Sequence, residues 1–198
     1  MPFEIWVTSL KDAKAKLAVY ARVERAAIGD FGDWKPIAGA KGIREMRMHY
    51  AQGYRVFYTV IGQKVVLLLA GSSKSDQDRA IAKVKEYWTT TRKGGHDMAP
   101  ASKPLDFGMR DELLRDPENA AFYLEQILEG GNIELFQEAL RTVAKAQQGG
   151  VKAVAQQANV SRENLYDALS AKGKPKLETI NKTLGALGLR FAITPLHQ

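Results

Sequence analysis

The 198-residue sequence predicts an α+β domain, built on a three- to four-stranded antiparallel sheet with helices, followed by an all-α domain. Three features point there. Strand-like apolar runs cluster before residue 71. The stretch 92–104 (RKGGHDMAPASKP) has the composition of a linker. From Pro117 onward the apolar spacing is helical almost throughout.

Taken in order, residues 3–8 (FEIWVT) alternate and read as a strand. Ser9 and Asp12 form a capping-box-like start, and a helix then carries Leu10, Ala13, Leu17, Tyr20 and Ala21 at helical spacing until Gly29–Pro36 breaks it. The runs 43–50, 54–61 and 64–70 read as strands, joined by the hairpin-sized turns Ala51-Gln52-Gly53 and Gly62-Gln63. Tyr54, Phe57 and Tyr58 are expected in the core. A helix is then expected from Ser75 to about Arg92, burying Ile81, Val84, Tyr87 and Trp88.

Residues 1–92 thus make the first domain and 93–104 a linker. Met98 stands inside that linker like the start of a second gene, whether by natural fusion or artificial joining. Residues 105–146 follow as a helical pair: Asp116 caps a helix over 117–129 with Pro117 at its first position, Gly130-Gly131-Asn132 ends it, and a second helix covers 133–146. Residues 147–198 form the last domain, with a helix over 176–187 and a strand-like tail at Arg190–Thr194.

Composition narrows the function. The chain has no cysteine, so disulfides and thiolate metal sites are excluded, and no metal or cofactor is expected. Charge appears too early at the N-terminus for a signal peptide, and Val65–Ala70 is too short to span a bilayer. A soluble cytoplasmic protein without a membrane partner is the expectation. Residues 1–97 hold 17 basic and 10 acidic side chains (+7); residues 105–140 hold 2 and 9 (−7); residues 141–198 hold 9 and 3 (+6). A basic, an acidic and a basic block in series fit two nucleic-acid-facing surfaces separated by a segment able to cover one of them.

The stretch from Gln148 to Tyr166 reads as helix, tight turn, helix. Val151, Val154 and Ala155 line the first helix, Ala158 permits close approach, Val160 fills the turn, and Ser161 caps the second helix. Leu165 and Leu169 face inward, which leaves Ser161, Arg162, Glu163, Asn164 and Tyr166 at the outward start of a recognition helix. Arg162 suits guanine and Asn164 adenine; Lys172, Lys174 and Lys176 suit phosphates. The segment resembles Xre/Cro-type DNA readers, and residues 98–198 resemble a HigA-type antitoxin. That resemblance implies a homodimer that binds operator DNA and represses its own transcription.

Four motifs carry a second resemblance: Gly32-Asp33-Trp34-Lys35-Pro36, Glu45 to Tyr50 (EMRMHY), Gly53 to Tyr58 (GYRVFY) and Gly71 to Asp78 (GSSKSDQD). Their order and spacing are similar to the RelE/ParE superfamily of toxins, specifically the phage-derived HigB type, over about residues 3–92. The resemblance implies metal-independent cleavage of mRNA on the ribosome, in which the 2′-hydroxyl attacks the adjacent phosphorus. Arg47 and Arg55 on neighbouring strands and Lys74 after the next strand are expected to converge as phosphate and transition-state contacts. His49 and Tyr50 are candidates for proton transfer or base stacking. Where RelE-type nucleases place a Tyr or His near the last helix, Ala80 stands here, Tyr87 follows the apolar spacing, and His96 falls in the linker.

Together the halves predict a toxin silenced by its antitoxin, by contact within the chain or by a swap between two copies. Two alternatives differ in class. One is a repressor with a catalytically inactive RelE-like domain; the other is a ParE-like toxin that binds gyrase.

Overall fold

The computed structural model describes residues 3–61, 65–93, 105–170 and 172–193. The turn at Gly62-Gln63, His96, Met98 and almost all of the 93–104 linker, and Thr194 lie outside them. The chain divides into two compact units, Met1–Met109 and Arg110–Gln198.

The first unit opens on a helix, α1 (Phe3–Ser9), and not on a strand. Strand alternation would place Phe3, Ile5 and Val7 on one face. Instead Phe3, Trp6 and Val7 are buried at helical spacing while Ile5 is 58% exposed. Ser9 ends this helix, donating its hydroxyl to the Trp6 carbonyl at 2.7 Å. The next helix, α2 (Ala13–Ala27), starts from Asp12, whose carboxylate accepts the Lys14 N–H, so the expected Ser9 cap and the Leu10 start are both corrected.

Four strands follow: β1 (Trp34–Pro36), β2 (Ile43–Met48), β3 (Tyr54–Ile61) and β4 (Val65–Ser73), in an antiparallel meander of order β1-β2-β3-β4. The fourth strand is therefore Trp34–Pro36, inside the stretch expected only to break a helix. Pro36 is tolerated there because β1 is an edge strand. Side-chain alternation splits the sheet into two faces. Met46, Met48, Tyr54, Val56 and Tyr58 pack with α1 and α2. Ile43, Phe57 and Ala70 pack with Val84 of α3 (Gln77–Lys93). Tyr54, Phe57 and Tyr58 are core, as expected. α3 begins two residues later than expected, and Tyr87, expected inside, is 49% exposed. At Gly71 of β4 the backbone passes so close to Trp6 that an added Cβ would lie 1.9 Å from the indole Cε3.

The second unit is helical: the rest of α4 (Gly108–Leu113), then α5 (Pro117–Leu128), α6 (Ile133–Ala146), α7 (Gly150–Gln157), α8 (Arg162–Ala168) and α9 (Leu177–Ala186). Caps set the boundaries. Asp116 accepts the Asn119 N–H, and Asn132 accepts the Leu135 N–H. Tyr123, Ile127, Leu140 and Val143 form the centre of its core. The expected tail strand does not form: Arg190–Ile193 have no regular structure and Ile193 is fully exposed. Among the described residues this unit has no strand for them to pair with, and a lone strand is not stable in water. Among the described residues, no helix is long and apolar enough to cross a membrane.

Candidate nucleic-acid interfaces

The polar positions of the first unit gather on one sheet face because they alternate with its core residues. Arg47 of β2 and Arg55 of β3 are directly opposed in the ladder, and Arg55 is in turn opposed to Ser72 of β4. Lys74 joins them at the end of β4. Its N–H donates to the Gly53 carbonyl at 2.9 Å, and a Cβ at Gly53 would touch both Lys74 Cβ (3.5 Å) and the Arg55 guanidinium (3.6 Å). The three expected phosphate contacts therefore share one neighbourhood.

Two carboxylates hold this cluster. Glu45, wholly buried, lies between Arg55 Nε at 3.0 Å and Lys35 Nζ at 3.4 Å. The Arg55 contact is close but not aligned as a hydrogen bond, and neither Glu45 oxygen has another hydrogen-bond donor among the described residues, so charge holds the pair. The Arg55 Nη1 is spent on the Tyr54 carbonyl at 2.9 Å. Nearer the surface, Asp33 takes Arg47 through Nε (3.1 Å) and Nη2 (2.5 Å) on one oxygen and His49 Nε2 (2.8 Å) on the other. The His49 hydrogen bond and the Arg47 contacts outweigh partial desolvation and hold the Asp33 carboxyl below the usual carboxylate range. Lys35, Arg47, Arg55 and Lys74 against Asp33 and Glu45 leave the face with a net charge of about +2 before any contribution from His49. Tyr50 is not part of it. It packs on the α2 side, where burial, and then the charge and hydrogen bond of Asp12, push its phenol up.

In the second unit, α7 ends in a left-handed Asn159 (φ 53°), with the Val160 N–H closing on the Ala155 carbonyl at 3.0 Å. This sharp turn lets α8 start immediately. Ser161 caps it by accepting the Asn164 N–H at 3.1 Å, and Leu165 and Leu169 are fully buried beneath. Ser161, Arg162, Glu163 and Asn164 are exposed together on the first turn, with the Arg162 guanidinium 5.5 Å from the half-buried Tyr166 ring. Lys172 and Lys174 are exposed beyond the helix.

Comparison with family models bears on this region. A family model described as probable addiction module antidote protein matches residues 105–195. An uncharacterized protein of Haemophilus influenzae is 39% identical over 85 residues, covering 43% of this chain and 84% of that protein. A second uncharacterized protein of the same organism is 39% identical over 88 residues, covering 44% and 88%. Through residues 105–195 the chain belongs to the addiction module antidote family. No solved structure matches. The turn between α7 and α8, with its exposed polar first turn, thus lies within the antidote region, which assigns that half of the chain an antitoxin-type role.

Two site residues were missed from sequence. In the sequence Asp33 stands only within the Gly32–Pro36 motif, and Glu45 only as the first residue of the Glu45–Tyr50 motif. A lone acid among the apolar and basic side chains of Ile43–Met48 was the available signal for Glu45. No group of three or more His, Asp or Glu side chains arranged to hold a metal is present among the described residues.

Proposed function

We propose that the chain is a toxin–antitoxin pair of the second type in one polypeptide. The first unit is a RelE/HigB-like endoribonuclease acting on mRNA at the ribosome. The antidote region binds operator DNA through α7 and α8 as a homodimer, represses its own transcription and neutralises the first unit, within the chain or by a swap. The observation that carries this is an antidote-family region fused behind a basic sheet unit whose Arg47, Arg55 and Lys74 adjoin one another.

In that reading the 2′-oxygen forms a bond to phosphorus, the P–O5′ bond breaks, and a 2′,3′-cyclic phosphate and a 5′-hydroxyl result. One proton leaves the 2′-hydroxyl and one reaches the leaving oxygen. His49, oriented through Nε2 by Asp33, is the group best placed to move one of them, with Arg47 and Lys74 bearing the phosphorane charge. Arg55, 7% exposed and paired with Glu45, serves mainly to hold the site. Arg162 and Asn164 read base edges, and Lys172, Lys174 and Lys176 contact phosphates. Two such motifs in a dimer require half-sites about 34–36 Å apart.

A second reading has support of its own. Arg47 and Arg55 already have anionic partners, which suits a repressor whose first unit does not cut RNA. Inducing residues 1–109 and mapping mRNA ends by primer extension decides between them, with the whole chain as control. New ends within codons from the fragment alone support the nuclease. Absence of toxicity supports the repressor, and growth arrest with DNA damage supports gyrase binding.

A further inference from the structure

The antidote-family match begins at residue 105, whereas the two compact units divide between Met109 and Arg110. The first five residues of the antidote region therefore pack as part of the other unit. Their burial alternates: Leu105, Phe107 and Met109 are half-buried, while Asp106 and Gly108 are exposed. Leu105 and Phe107 lie on the core formed by α1, α2 and the sheet. The Phe107 ring is 5.7 Å from that of Tyr20, tilted by 48°, and Lys16 Nζ reaches Met109 Sδ at 3.3 Å. Lys16 and Tyr20 are one helical turn apart on α2, so the two contacts lie along a single stripe. Asp106 shapes the approach by accepting the Gly108 N–H at 2.8 Å.

We infer that the Lys16–Tyr20 stripe of α2 is a docking site for the leading segment of the antidote region, Leu-Asp-Phe-Gly-Met. This rests on the antidote assignment and deepens the proposed neutralising contact. The side chains of β2 and β3 that face α2 (Met46, Met48, Val56) alternate with Glu45, Arg47 and Arg55, which face the other way. The segment is therefore an anchor on the side of the sheet away from the polar face, and it acts by apolar contact. Charge plays its part elsewhere. Holding the antidote and covering the basic face are separate tasks for separate residues, and the first belongs to Phe107.

The test uses the whole chain and needs neither toxicity nor DNA binding. Phe107→Asp is expected to speed hydrogen exchange across residues 13–27 at least tenfold while residues 161–169 keep their protection. Phe107→Leu, which retains an apolar contact, is expected to keep most of the protection on α2. A synthetic peptide of residues 105–114 added to the Phe107→Asp chain is expected to restore protection at α2, with a micromolar Kd. The same peptide is expected to bind at least tenfold more weakly when Tyr20→Ser is also present. Unchanged exchange at α2 in Phe107→Asp, or peptide binding that ignores Tyr20, overturns the docking site. Docking as expected, together with uncut mRNA from residues 1–109, would remove only the nuclease reading.

Discussion

Replacing Glu45 by Gln tests how the polar sheet face is held. The side chain is wholly buried and faces two cations, Arg55 Nε at 3.0 Å and Lys35 Nζ at 3.4 Å. Gln keeps the shape and removes the charge. Lys35 is 44% exposed and can turn to water, but the Arg55 side chain is 7% exposed and cannot. An unpaired buried guanidinium costs about 3–5 kcal/mol, against well under ~1 kcal/mol for a surface pair. With a urea m-value of about 2 kcal/mol/M, the midpoint of the first unit should fall by roughly 2 M. All three tryptophans (Trp6, Trp34 and Trp88) belong to that unit, so intrinsic fluorescence follows its unfolding without interference from the antidote helices. Combining Glu45→Gln with Arg55→Met removes both charges, and much of the lost stability should return. A midpoint shift below about 0.5 M for Glu45→Gln would refute the buried pair.

Three further outcomes are expected. Gly71→Ala drives a methyl to within 1.9 Å of the Trp6 indole and should cost about 1–3 kcal/mol, with a shifted emission maximum, by the same fluorescence titration. Ser161→Ala removes the cap on the Asn164 N–H and should cost the helical unit about 0.5–2 kcal/mol by thermal circular dichroism, whereas Arg162→Ala should leave stability within about 0.5 kcal/mol and weaken operator binding by about 1–3 kcal/mol in a mobility-shift titration. Because the folded Asp33 carboxyl is held below its ordinary 3.8, its contribution to stability is present above that value and is lost as pH falls through the lowered one. Urea midpoints of the parent chain should therefore drop between about pH 4 and 2 more steeply than those of Asp33→Asn, and parallel curves would contradict the Asp33 network.

How much was legible in the sequence follows from where the determining contacts lie. The helical half was readable because its boundaries are set locally. Asp116 with Pro117, Asn132 and Ser161 each act within three residues, and Ile133–Ala146 was expected to the residue. The opposition of Arg47 and Arg55 was also within reach, since a short turn after Tyr50 fixes the register of the hairpin. The first helix was not readable. Seven residues containing Phe3, Ile5, Trp6 and Val7 satisfy both periods, and what decides between them is the space above Gly71, almost seventy positions away. The strand at Trp34–Pro36 was hidden for a similar reason, because its pairing with Arg44–Met46 overrides the local signals of Gly32 and Pro36.

The same distinction explains why the polar face was read only in part. Basic residues at alternate strand positions declare a face, but their partners do not. Asp33 is fourteen residues from Arg47 and sixteen from His49, and Glu45 meets Arg55 only across a strand pair. Those partners change the chemistry. An arginine compensated by a buried carboxylate is a structural post that fixes its neighbours, whereas Lys74 is exposed at the end of β4. A polyanion arriving at this face would have to compete with Asp33 for Arg47, whereas His49 is held by the other oxygen of the same carboxylate. In the proposed nuclease, replacing Asp33 should therefore strengthen RNA binding through Arg47 and, by removing the group that orients His49, weaken cleavage.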